Sequence, residues 1–131
     1  MSFSKYSILI VEDDSHVSRV VRNHLEEAFP SVRVTIAGSA AKALEIASKF
    51  SPTIIIWDGA PNERGTLEEY VNCIPAELWS RVIPISVDAS VSAIATSKNS
   101  HPAIPKKMQA VNSWSDELVV YIKKLIHPKK K

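Results

Sequence analysis

Thr53-Ile54-Ile55-Ile56-Trp57-Asp58 is an unbroken apolar run closed by an acid, and Ile8-Leu9-Ile10-Val11-Glu12-Asp13 is a second run of the same kind. Continuous rather than alternating hydrophobicity suits a strand buried on both faces, as in a parallel sheet flanked by helices. Ligand sites in such sheets lie at the carboxyl ends of the strands. Glu12, Asp13 and Asp58 are therefore expected at one place. Crowded carboxylates repel one another unless a cation sits among them, and clustered oxygen ligands suit Mg²⁺. The pattern predicts a hard-metal site with one acid free to do chemistry.

Working outward, Val17, Val20, Val21, Leu25 and Ala28 recur at helical spacing, with Asp14 or Ser15 as the cap and Pro30 closing the segment. Val32, Val34 and Ile36 alternate, as a half-buried edge strand does. Gly38-Ser39 opens a helix with Ala40, Ala43, Leu44 and Ala47 on one face, and Pro52 leads into the strand that ends at Asp58. This βαβα alternation favours a doubly wound parallel sheet.

Residues 59–65 read as a loop, and Thr66-Leu67-Glu68-Glu69 fits a capping box for a helix bearing Leu67, Tyr70, Val71 and Ile74. Residues 82–87 form the fourth strand, in which Pro84 is expected at a strand start or a bulge, since it cannot donate to a ladder. Residues 89–97 read as a short helix and residues 103–105 as a short last strand. Ser113 or Ser115 then caps a final helix with Leu118, Tyr121, Ile122, Leu125 and Ile126 inward, ended by Pro128.

The length, 131 residues, suits one domain, with a core over about residues 6–127 and a basic tail at 128–131. Apolar residues at 45% and charged residues at 23% are those of an ordinary soluble chain. The lone Cys73 excludes an internal disulfide framework and fits a reducing compartment. No N-terminal apolar stretch approaches a signal peptide or a membrane span, so a cytoplasmic address without a membrane partner is expected. A formal charge of +2 is too small to imply nucleic-acid binding, and Lys129-Lys130-Lys131 reads as a solvated terminus. His16, His24, His101 and His127 have no metal-ligand spacing with Cys73 and read as surface or helix residues. Trp57 is expected to point away from the acids into helix packing, while Trp79 and Trp114 fit either core or partner contact.

The order and spacing of these motifs resemble the receiver domain of two-component response regulators across nearly the whole chain. Residues 8–14 resemble the family's first strand with its acidic pair, Asp58 falls where the phosphoacceptor falls, and Ile104-Pro105-Lys106 resembles the fifth strand with its lysine. The resemblance implies a flavodoxin-like doubly wound α/β fold, a five-stranded parallel sheet in order 2-1-3-4-5 with helices on both faces. It also implies that Asp13 holds Mg²⁺ directly, Glu12 through water or a longer reach, Asp58 as ligand and nucleophile, and Ala60 through its carbonyl. Lys106 is implied to pair with Asp58 and then with the phosphoryl oxygens. The phosphoryl donor would be a histidine kinase, a phosphotransfer protein or a small acyl phosphate. The signal would pass by docking to a downstream protein, from a monomer or weak homodimer.

The chain also departs from the family's pattern. Asp58-Gly59-Ala60-Pro61 has two residues before its proline where the family normally has three, and Lys107 stands where a proline usually follows the lysine. Asp88 occupies the position of the switch hydroxyl. At about 4 Å and an effective dielectric near 20, a carboxylate there costs roughly 4 kcal/mol per unit-charge pair with a phosphoryl group. Ser86, two residues earlier on the same strand face, is the alternative hydroxyl. Ala103 replaces the usual aromatic residue, and the short span from Asp88 to Lys106 predicts a short or irregular fourth helix.

Three functions compete on these grounds. The first is a single-domain receiver phosphorylated on Asp58, a phosphoacceptor rather than an enzyme with turnover. The second is a pseudo-receiver that binds partners without phosphorylation, favoured by the short loop, Asp88 and Ala103. The third, a small flavodoxin-like enzyme or cofactor binder, is disfavoured because no glycine-rich phosphate cradle follows the first strand.

Overall fold

The two apolar runs form neighbouring parallel strands. In the computed structural model, which describes residues 6–58, 66–86, 89–105 and 111–126, β1 (Ser7–Val11) pairs with β3 (Ile54–Trp57), from Ile8 opposite Ile54 to Val11 opposite Trp57. β2 (Arg33–Ala37) flanks β1 on its other side, and β4 (Val82–Ser86) and β5 (Ile104–Pro105) extend the sheet beyond β3. All pairings are parallel and the order is β2-β1-β3-β4-β5, as expected. The connecting helices are α1 (Ser15–Ala28), α2 (Ala40–Phe50), α3 (Leu67–Asn72), α4 (Ala89–Ser97) and α5 (Val111–Ile126), with a 3-10 segment at Ala76–Arg81.

Both faces of the sheet are covered, which is why β1 and β3 carry no polar alternation. Leu9, Val11, Ile55 and Trp57 pack against Ala43, Ala47, Tyr70, Trp79, Val91 and Ala95. On the opposite face Ile8, Ile10, Ile54 and Ile56 meet Val21 and Leu25 of α1 and Trp114, Leu118 and Ile122 of α5. Trp79 and Trp114 are thus core residues, 4% and 1% exposed.

The helix starts follow side-chain chemistry. Asp14 Oδ1 accepts from the N–H groups of His16 and Val17 at 2.9 and 3.2 Å, and Ser39 Oγ accepts from Lys42 at 3.2 Å. Thr66 and Glu69 form the full capping box of α3. α4 has nine residues, as short as the span before β5 predicted.

Three expectations need correction. Pro84 lies inside β4, not at its start or at a bulge. The His101 N–H donates to the Val82 carbonyl at 2.8 Å, so Val82 turns its backbone groups toward β5. Pro84, two residues on, turns its nitrogen the same way, to a flank where β5 pairs only from Ile85 onward, and no bond to β3 is lost. Ser113 and Ser115 do not cap α5, which begins at Val111; Ser115 is fully buried and hydrogen-bonds His24 Nδ1 on α1. On α2, Ile46 faces the core at 8% exposure while Leu44 is 44% exposed.

Candidate functional site at the carboxyl edge of the sheet

The β1 and β3 register determines where the acids emerge. Val11 and Trp57 are partners, the Asp58 N–H donates to the Val11 carbonyl at 3.0 Å, and the Glu12 N–H donates to the Ala37 carbonyl at 3.1 Å. Glu12 and Asp58 therefore leave the sheet from adjacent strands at the same edge. Both are buried, at 1% and 4% exposure, and Asp13 is half-buried. Glu12 Oε2 also accepts the Asp14 N–H at 3.1 Å, so this carboxylate braces the residue that caps α1.

The sites expected from the sequence divide into two groups. The structure brings the backbones of Glu12, Asp13 and Asp58 to one edge, and β4 ends there at Ser86, opposite Pro105 of β5. Ala60, Asp88 and Lys106 lie outside the described residues. Among the described residues, no group of three or more His, Cys, Asp or Glu side chains is arranged to hold a metal ion. By donor chemistry, carboxylate oxygens such as those of Glu12, Asp13 and Asp58 suit a hard divalent cation and not a soft one.

Trp57 behaves as its alternation with Asp58 requires. Its side chain lies in the α2 and α3 layer, fully buried, and its Nε1–H donates to the Tyr70 carbonyl at 2.9 Å. A backbone acceptor carries no side-chain signal, so the sequence offered no means of finding this tie. His101 Nδ1 lies 2.9 Å from the Tyr121 hydroxyl, and burial lowers the pKa of this histidine. An apolar cavity of about 180 Å³, lined by residues including Leu9, Arg33, Ile46 and Phe50, opens at the amino ends of β1 and β2, away from the acids.

No protein-family model matches the sequence, and no curated protein matches it in sequence. Solved structures do match in fold. A CheY-like response regulator receiver domain protein from Methanospirillum hungatei superposes with a TM-score of 0.72 at 19% identity, covering 95% of this chain and 94% of that one. The signal receiver domain of a DNA-binding response regulator from Colwellia psychrerythraea gives 0.69 at 18%, covering 93% and 98%. The response regulator domain of CheB from Thermotoga maritima gives 0.69 at 17%, covering 95% and 98%. The chain has the receiver fold over nearly its whole length. No helix of the described residues is long and apolar enough to cross a membrane.

Proposed function

We propose that this chain is a receiver domain that accepts a phosphoryl group on Asp58 and signals by docking to another protein. The observation that carries this reading is the seat of Asp58, buried just past β3 and next to Glu12, just past β1, in a chain with the receiver fold. An Asp58 carboxylate oxygen attacks the phosphorus of the donor, and the bond from phosphorus to the donor's oxygen or nitrogen breaks. The product is an aspartyl phosphate, and the donor leaves as a carboxylate or a free histidine. Glu12, Asp13 and Asp58, with the Ala60 carbonyl, would hold Mg²⁺, which when bound offsets the negative charge gathered at the phosphoryl group. In this reading Lys106 pairs with the phosphoryl oxygens, and Asp88 or Ser86 takes the position of the switch hydroxyl. The partners are a histidine kinase or phosphotransfer protein and a downstream protein target. A cytoplasmic setting fits the free thiol of Cys73.

A second reading, a pseudo-receiver that binds its partner without phosphate, is favoured by one observation. The Glu12 carboxylate, 1% exposed, already holds the Asp14 N–H. Incubation with acetyl phosphate and Mg²⁺, followed by intact mass, separates the two. The phosphoacceptor reading expects one added phosphoryl group on the wild type and none on Asp58→Asn. Partner capture by both proteins with no adduct on either would establish the pseudo-receiver.

A further inference from the structure

α3 has six residues, far too few for a helix to hold itself in water. Its order depends on ties to the rest of the fold. The carbonyl of Tyr70, in the last turn where intrahelical partners run out, accepts the Trp57 Nε1–H at 2.9 Å and the Cys73 thiol at 3.1 Å. Trp57 shares a peptide bond with Asp58. Its ring meets Trp79 of the 3-10 segment edge to face, with centroids 5.2 Å apart at 76°. The Lys98 ammonium, just past the end of α4, lies 5.8 Å from the centre of the Trp79 ring. Trp57 and Trp79 are 0% and 4% exposed. In so closely packed a layer, movement of one ring displaces the next.

We propose that the Trp57 indole transmits the state of the Asp58 carboxyl to α3 and, through Trp79, to the end of α4. A change of charge or bulk at Asp58 shifts the end of β3 and with it the indole that anchors the Tyr70 carbonyl. The short helix follows because it has little stability of its own. The signalling use of this linkage rests on Asp58 being the phosphoacceptor, but the linkage itself can be tested without phosphate.

Amide hydrogen exchange is measured for Asp58→Asn against its parent in three backgrounds: wild type, Trp57→Phe and Trp79→Phe. In the wild-type background Asp58→Asn is expected to change exchange at residues 67–81 and 95–99 by about threefold or more. Trp57→Phe, which removes the indole donor, should reduce both changes to less than about 1.5-fold. Trp79→Phe should keep the change in α3 and lose it at residues 95–99. General loosening would instead raise exchange in α1 and α5 as well. No change at residues 67–81 in the wild-type background, or the same change in the Trp57→Phe background, overturns the proposal. If Trp57→Phe does not fold, Trp79→Phe decides, and an unaltered response at residues 95–99 counts against it. An absent acetyl phosphate adduct would remove the phosphoacceptor reading and leave these exchange comparisons to judge the linkage.

Discussion

The Asp58 N–H donates to the Val11 carbonyl at 3.0 Å, so the last backbone bond of the β1 and β3 ladder is made by the residue proposed to accept phosphate. The residue that follows β1 is Glu12, which makes the two acids neighbours by register and not by side-chain attraction. A slip of one residue would turn Trp57 to the α1 and α5 face and Ile56 to the α3 face, exchanging side chains of very different size in two close-packed layers. The apolar pattern that determines the core therefore also determines where the acid emerges.

The capping box makes α3 sensitive to Thr66. Its hydroxyl accepts the Glu69 N–H at 3.2 Å, and Glu69 returns a bond to the Thr66 N–H at 2.8 Å. Thr66→Ala should cost about 1 kcal/mol, read as a lower urea midpoint, while Thr66→Ser should retain most of it. Equal midpoints for all three proteins would show that the box contributes nothing.

Burial pushes the Cys73 thiol up to about 12, against a weaker opposing effect from its backbone hydrogen bond. At pH 8 only about 10⁻⁴ of it is thiolate, and the thiolate is the reactive form. A thiol reagent should modify the native protein negligibly over an hour and the urea-unfolded protein completely. Rapid stoichiometric labelling of the native state would contradict the buried placement.

How much of this was legible in the sequence differs between elements. The continuous runs of β1 and β3, the Thr66 box and the half-buried β2 follow from local pattern, because burial on both faces, end-capping and edge position each leave a local mark. The place of Pro84 within β4 was not legible, because its tolerance depends on which neighbouring strand its nitrogen faces. Ser115 looks like a cap in sequence, but its partner His24 is 91 residues away. On α2 the choice between Leu44 and Ile46 turns on how the helix is rotated over the sheet, which spacing alone leaves open. At the site, Glu12 and Asp58 were legible as strand-end acids, whereas the bond from Trp57 to a backbone carbonyl was not.

His101 gives the fold a pH dependence of definite sign. Burial lowers its pKa below the ordinary 6.5 in the folded state. The stability it supports is fully present above about pH 6.5 and is lost as pH falls toward the folded value, because the unfolded chain takes up the proton first. Urea midpoints at about pH 8 and about pH 5.5 should therefore fall further for wild type than for His101→Gln. An identical fall in both proteins would remove His101 from the account.

Asp88 is the position at which the phosphoacceptor reading meets most resistance. If its carboxylate faces the acidic edge, Asp88→Thr removes a repulsion and supplies a hydroxyl. Relief of about 1.4 kcal/mol would speed phosphorylation by acetyl phosphate about tenfold. Equal rates would make Ser86 the phosphoryl contact at the end of β4.

Asp58 as the nucleophile of a metal-assisted phosphoryl transfer is open to a direct test. Wild type and Asp58→Asn are incubated with acetyl phosphate, with Mg²⁺ or with a chelator, and any adduct is located by peptide mapping after intact mass. A single phosphoryl group is expected on wild type, mapped to Asp58, dependent on Mg²⁺ and absent from the variant. No adduct on wild type with Mg²⁺ present, or an adduct that survives Asp58→Asn, would contradict it.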